Sequence, residues 1–167
     1  GKVFKETFEA AGGKVLMEES FLAKDQDFKA ALTKLKTANA DVIFVPAYYQ
    51  EATYITKQAA DLGMKLPFLG SDGWDGILAT VTDAATVQNA IFLSPFFSAD
   101  PSDNVKAFVA AYEEAYGETP NQFAADAYDC VYAVYKAMNE AGLDASASHE
   151  DICEALVGLF AGDFTAS

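Results

Sequence analysis

The sequence predicts an α/β fold built on a parallel sheet with flanking helices. Short apolar runs rich in β-branched and aromatic residues, "DVIFVPA", "LPFLGS" and "NAIFLSPFF", recur along the first half, and helix-period segments lie between or before them. Continuous apolar runs of this length suit strands covered on both faces, and helical connections of about 10–15 residues imply right-handed parallel crossovers.

The elements follow in chain order. A helix opens the chain and stops at Gly12-Gly13, and "KVLMEESF" then reads as a strand. In "DQDFKAALTKLKTAN" the residues Phe28, Ala31, Leu32 and Leu35 share one helical face, with Asp25 or Asp27 placed to cap it. "YQEATYITKQAADLG" forms the next helix and stops at Gly63, between the strands "DVIFVPA" and "LPFLGS". After Pro101 the pattern becomes three helices without strands between them, the middle one apolar around much of its circumference. Because the chain opens in mid-helix, it reads as part of a longer protein.

The net charge is −14, from 25 acids against 11 lysines and no arginine. Such a surface repels phosphate backbones and anionic lipid, which argues against a nucleic-acid partner. No apolar run approaches the ~20 residues of a membrane span. Cys130 and Cys153 lie on separate helices without a CxxC or a neighbouring histidine, so neither zinc nor redox chemistry is expected. They read equally as two buried small residues or as a disulfide.

His149, the only histidine, follows Ser148 in a capping box with Asp151, at an exposed first helical turn. Without another imidazole, and without nucleophile-elbow, P-loop or dinucleotide motifs, the chain is not read as an enzyme and calls for no cofactor. What remains lies just beyond the carboxyl ends of the expected strands, where α/β sheets bind ligands. Ala47, Tyr48, Tyr49, Gln50 and Glu51 follow one strand; Ser71, Asp72, Gly73, Trp74 and Asp75 follow the next. Side by side, they would set an aromatic wall next to a carboxylate, which suits a primary ammonium on a small body. The alternative is structural: Asp72 or Asp75 caps the helix "DGILATVT", Asp75 the better placed, while Tyr48 and Trp74 cover sheet edge. The spacing of the acids fails the calcium-loop pattern.

The stretches "FKETFEAAGGKV", "DFKAALTKLKTANADVIFVPAYYQEATYITKQAADLGMKLPFLGSDGWD" and "FVAAYEEAYGETPNQFAADAYD" together resemble the type 1 periplasmic solute-binding proteins of branched-chain amino acid ABC transporters. The resemblance implies two α/β lobes joined by a hinge and closing on a ligand. Residues 1–97 would then be a second lobe lacking its first strand. Residues 98–167 would be helices that pack on a missing first lobe and end at a hinge return strand. It also implies an incomplete sheet, prone to dimerisation or strand exchange. The matching positions assign Asp72 to a ligand ammonium and Tyr48, with Tyr49 adjacent, to the ligand's body; Phe123 and Trp74 complete the expected ligand-binding set. The implied role is extracytoplasmic capture of an amino acid for an ABC permease. A sensing domain of a receptor or regulator with the same fold is the alternative.

Overall fold

The computed structural model describes residues 1–162, so the expected return strand lies outside the described residues. The chain divides into two compact units, one ending at Pro95 and the other beginning at Phe96.

In the first unit the order is α1 (Lys2–Ala10), α2 (Lys29–Thr37), β1 (Ile43–Val45), α3 (Tyr49–Asp61), β2 (Phe68–Gly70) and β3 (Ala90–Phe92). The strands form a parallel sheet in the order β1-β2-β3, with Val45 opposite Gly70 and Gly70 opposite Phe92. Gly12 and Gly63 follow α1 and α3 with φ of +92° and +68°, the left-handed geometry that ends a helix cheaply only at glycine.

One face of the sheet carries the core. Phe28 at the N-cap of α2, Leu32 within it, and Ala52, Ile55 and Ala59 of α3 pack with Ile43, Val45 and Phe68, all buried. The face expected for α2 is the one that packs, with Phe28 and Leu32 buried and Ala31 and Leu35 partly so. Full burial of a side chain such as Leu32 contributes about 1.5–3 kcal/mol. The opposite face is covered unevenly. Phe4 of α1 stacks on Phe44 with ring centroids 3.7 Å apart, whereas Ile91 of β3 is 66% exposed. Cover on both faces therefore holds at β1 and fails at β3.

Three local expectations need correction. Residues 14–21 form no strand, because they have no ladder partner; they are tethered instead through Lys5–Glu18 and Lys34–Glu19 ion pairs, and Leu16 and Met17 remain exposed. Neither Asp25 nor Asp27 is the N-cap of α2, a position held by Phe28. The Phe28 N–H donates to Oε1 of Gln58 at 2.8 Å, and Gln58 Nε2 donates to the Gln26 carbonyl at 2.7 Å. A buried amide of α3 thus satisfies the start of α2. Finally, "DGILATVT" is not one helix. The β2–β3 connection consists of 3-10 turns at Asp72–Trp74, Ile77–Ala79 and Ala84–Val87, broken at Gly76, whose φ is +90°. The hydroxyls of Thr80 and Thr86 bond nearby carbonyls and compete with a continuous helical ladder.

The second unit holds α4 (Asp103–Tyr116), α5 (Gln122–Glu140) and α6 (His149–Ala161). Gly117 ends α4 at φ +74°, the Asn121 side chain accepts from the Ala124 N–H to cap α5, and Ser148 and Asp151 form the expected capping box. α5 packs against α6. Ala133 and Ala137 are buried, but Val131, Tyr135, Val157 and Phe160 stay exposed, in keeping with the apolar circumference read from the sequence. Cys130 and Cys153 are both exposed and free, so neither the buried pair nor the disulfide forms.

Candidate functional site

The carboxyl ends of β1 and β2 bring two loops into contact. A Cβ placed on Gly73 would stand 2.7 Å from the Ala47 carbonyl oxygen and 3.2 Å from Tyr48 Cδ1. Only a residue without a side chain lets the Asp72 turn approach the Ala47 backbone and the Tyr48 ring so closely. Gly73 does not have positive φ, so its role is this approach and not a special turn geometry.

Tyr48 is the N-cap residue of α3, with extended backbone and a 62% exposed side chain. Its carbonyl accepts from the Ala52 N–H at 3.0 Å, which fixes it to the first turn of the helix. Tyr49 is half-buried and packs against the core.

Three acids lie near this edge, and their surroundings separate them. Glu51 accepts from the Lys24 N–H at 2.8 Å, and Asp75 Oδ1 accepts from the Gly76 N–H at 2.9 Å. Asp75 ends the Asp72–Trp74 turn, and the cap position of the next turn belongs to Gly76, so the expected N-cap role of Asp75 is not realised. Asp72 is exposed, and among the described residues its carboxylate makes no hydrogen bond or ion pair. It is the acid at this edge available to an incoming cation.

Trp74 occupies a different place from the one expected. It is fully buried, its centroid 6.3 Å from that of Phe68, and its Nε1–H donates to the Val45 carbonyl at 2.9 Å. It therefore supports the Asp72 turn from the core side and presents no surface to a ligand. Gly70 meets the Trp74 ring and not a ligand: a Cβ there would stand 2.5 Å from the indole Cγ. The sequence signal for this packing is a glycine at a strand end four residues before the tryptophan.

Phe123 belongs to the second unit. It is the second residue of α5, half-buried, next to the buried Gln122 and the capping Asn121. An open cavity of about 290 Å³ beside α3, lined in part by Gln50, Thr53, Lys57 and Thr80, lies apart from the Asp72 turn. Of its polar groups, Thr53 and Thr80 share a hydrogen bond, and Lys57 pairs with Asp61. Among the described residues no cluster of His, Cys, Asp and Glu could hold a metal, and no helix is long and apolar enough to cross a membrane.

The chain is an α/β protein whose parallel sheet carries an exposed tyrosine and an exposed carboxylate beyond the carboxyl ends of adjacent strands, the place where such sheets bind ligands. The family model for periplasmic binding proteins matches residues 1–160, and the chain belongs to that family. Members of the family are solute-binding proteins and not enzymes. The chain is 32% identical over 154 residues to the leucine-, isoleucine-, valine-, threonine- and alanine-binding protein of Pseudomonas aeruginosa, covering 91% of this chain and 40% of that protein. Among solved structures it is similar to the branched-chain amino acid transporter substrate-binding protein LivJ of Streptococcus pneumoniae in complex with isoleucine. That match has 36% identity and a TM-score of 0.78, and covers 95% of this chain and 45% of LivJ. A solute-binding protein of Rhodopseudomonas palustris in complex with 3,4-dihydroxybenzoic acid matches at 30% identity and a TM-score of 0.72, covering 92% of this chain and 43% of that one. The chain thus spans less than half the length of these relatives.

Proposed function

We propose that this chain belongs to an extracytoplasmic solute-binding protein, in the periplasm or anchored at the cell surface, that captures an amino acid of the branched-chain type for an ABC permease. The observation that carries the reading is the exposed Asp72 carboxylate, which has no hydrogen bond or ion pair among the described residues, on a turn packed close to Tyr48. In this reading residues 1–97 are part of the second of two lobes, Asp72 receives the ligand's ammonium, and Tyr48 and Tyr49 line its apolar body. Phe123 enters through the family resemblance as a further aromatic contact.

Charge decides between the two ligand classes found with the relatives. An ammonium about 4 Å from a carboxylate gains roughly 4 kcal/mol at an effective dielectric of 20, before desolvation. A ligand whose only charge is a carboxylate carries the same sign as this acid and is repelled by it. The isoleucine complex of LivJ agrees with the first case, while the dihydroxybenzoate complex shows that the fold also admits anions. Asp72 favours the zwitterion.

The test is calorimetry on the full-length protein. Asp72→Ala is expected to weaken binding of leucine or isoleucine by about 2 kcal/mol or more. Unchanged affinity in that variant would remove Asp72 as the ammonium receptor.

A further inference from the structure

The turn that presents Asp72 has little of its own to hold it in place. It is a single 3-10 turn, Asp72–Trp74, with one backbone bond from the Trp74 N–H to the Ser71 carbonyl and one from the Asp75 N–H to the Asp72 carbonyl, both 3.1 Å. Such short turns have poor hydrogen-bond geometry and depend on their surroundings for orientation. Those surroundings converge on one atom. The carbonyl oxygen of Val45 accepts from Trp74 Nε1 at 2.9 Å and from the Ala47 N–H at 3.0 Å. The first bond fixes the residue two after Asp72; the second fixes the residue just before Tyr48. One buried oxygen therefore sets the Asp72 turn and the tyrosine loop relative to each other. The indole is also wedged over Gly70, and Gly73 rests on the Ala47 carbonyl, so the turn is packed against both the end of β2 and the tyrosine loop.

We infer that Trp74 is a positioning residue of the site. Its bond to Val45 and its packing on Gly70 hold the Asp72 carboxylate where a ligand's ammonium is received, and so set the preference for ammonium-bearing ligands without touching the ligand. The inference rests on the amino acid reading above and adds a determinant of selectivity to it. Moving a carboxylate by a fraction of an ångström weakens an oriented, charge-assisted hydrogen bond while leaving apolar contacts to the ligand's side chain nearly unchanged. Loss of the Trp74 bond should therefore act on the ammonium alone.

The experiment measures, in the full-length protein, the calorimetric affinity for leucine and for 4-methylpentanoate, the same molecule without its ammonium. Wild type is expected to prefer leucine by about thirtyfold or more. Trp74→Phe should weaken leucine binding about tenfold and change 4-methylpentanoate binding less than twofold. In an Asp72→Asn background the same change should have no further effect on leucine. Replacing Trp74 by its benzothiophene isostere, which keeps the ring shape and lacks the N–H, should reproduce the selective loss; this variant also serves if Trp74→Phe folds poorly. Equal weakening of both ligands, or of neither, overturns the positioning role and leaves the amino acid reading in place. If wild type does not prefer leucine, or if Asp72→Asn keeps the preference, the amino acid reading itself falls.

Discussion

Gly70, the last residue of β2, lies against the indole of Trp74 so closely that a Cβ on it would stand 2.5 Å from the ring's Cγ. The contact couples the end of a strand to the loop that follows it. Gly70→Ala must displace the indole, strain the bond to Val45, and cost about 1–3 kcal/mol in stability. With Trp74→Ala already in place the indole atoms that the added methyl group would strike are gone. Urea denaturation of the two single variants, the double variant and wild type should then show a coupling of about 1 kcal/mol or more. Simple additivity would mean that the two residues do not act through this contact.

Gly73 makes the equivalent contact between loops, against backbone instead of a side chain. A Cβ at this position meets the Ala47 carbonyl oxygen at 2.7 Å, and a carbonyl fixed at the end of β1 cannot rotate away as a side-chain tip would. Gly73→Ala is expected to push the Asp72 turn away from Tyr48 and, under the amino acid reading, to lower leucine affinity of the full-length protein about tenfold or more. Calorimetry beside a thermal melt checks this, the affinity loss persisting at temperatures where the variant is fully folded.

Gln58 is the polar group on which the α2–α3 contact depends. Replacing it by leucine removes the partner of the buried Phe28 N–H and of the part-buried Gln26 carbonyl. The expected loss is about 1–3 kcal/mol by urea denaturation. Gln88→Leu, at an exposed position, should stay within about 0.5 kcal/mol of wild type and serves as the control.

These cases mark how much of the molecule its sequence carries. Strands β1 and β2 and helix α3 are legible because composition, period and the stop at Gly63 agree. The capping box at Ser148 is legible because it is wholly local. Residues 14–21 mislead because strand formation needs a partner edge, which no local pattern reports. Gln58 is hidden because a polar residue on a helix reads as solvent-facing until the backbone it serves, some thirty residues away, is known. At the site, the meeting of the Tyr48 and Asp72 loops follows from adjacent parallel strands and was readable. The burial of Trp74 was not: beside two acids and three glycines an indole looks like a ligand contact, and only Gly70 hints that there is room for it inside.

The Ser148–Asp151 capping box makes the start of α6 sensitive to acid. The Ser148 hydroxyl, at 2.7 Å, and then its backbone N–H donate to the Asp151 carboxylate and hold its pKa below the ordinary value. These bonds favour the ionised form, which the unfolded chain lacks reason to prefer. In the window between the lowered folded value and the ordinary one, the unfolded state binds more protons, so stability rises with pH there. The contribution is complete above the ordinary carboxylate range and is lost as pH falls through the folded value. An NMR titration of the Asp151 carboxyl carbon should give a midpoint below that of an unstructured aspartate, with amide exchange in the first turn of α6 accelerating as it protonates. Ser148→Ala should return the midpoint toward the ordinary value and flatten the pH dependence of that exchange. An unshifted wild-type midpoint would show that the carboxylate does not depend on these two donors in solution.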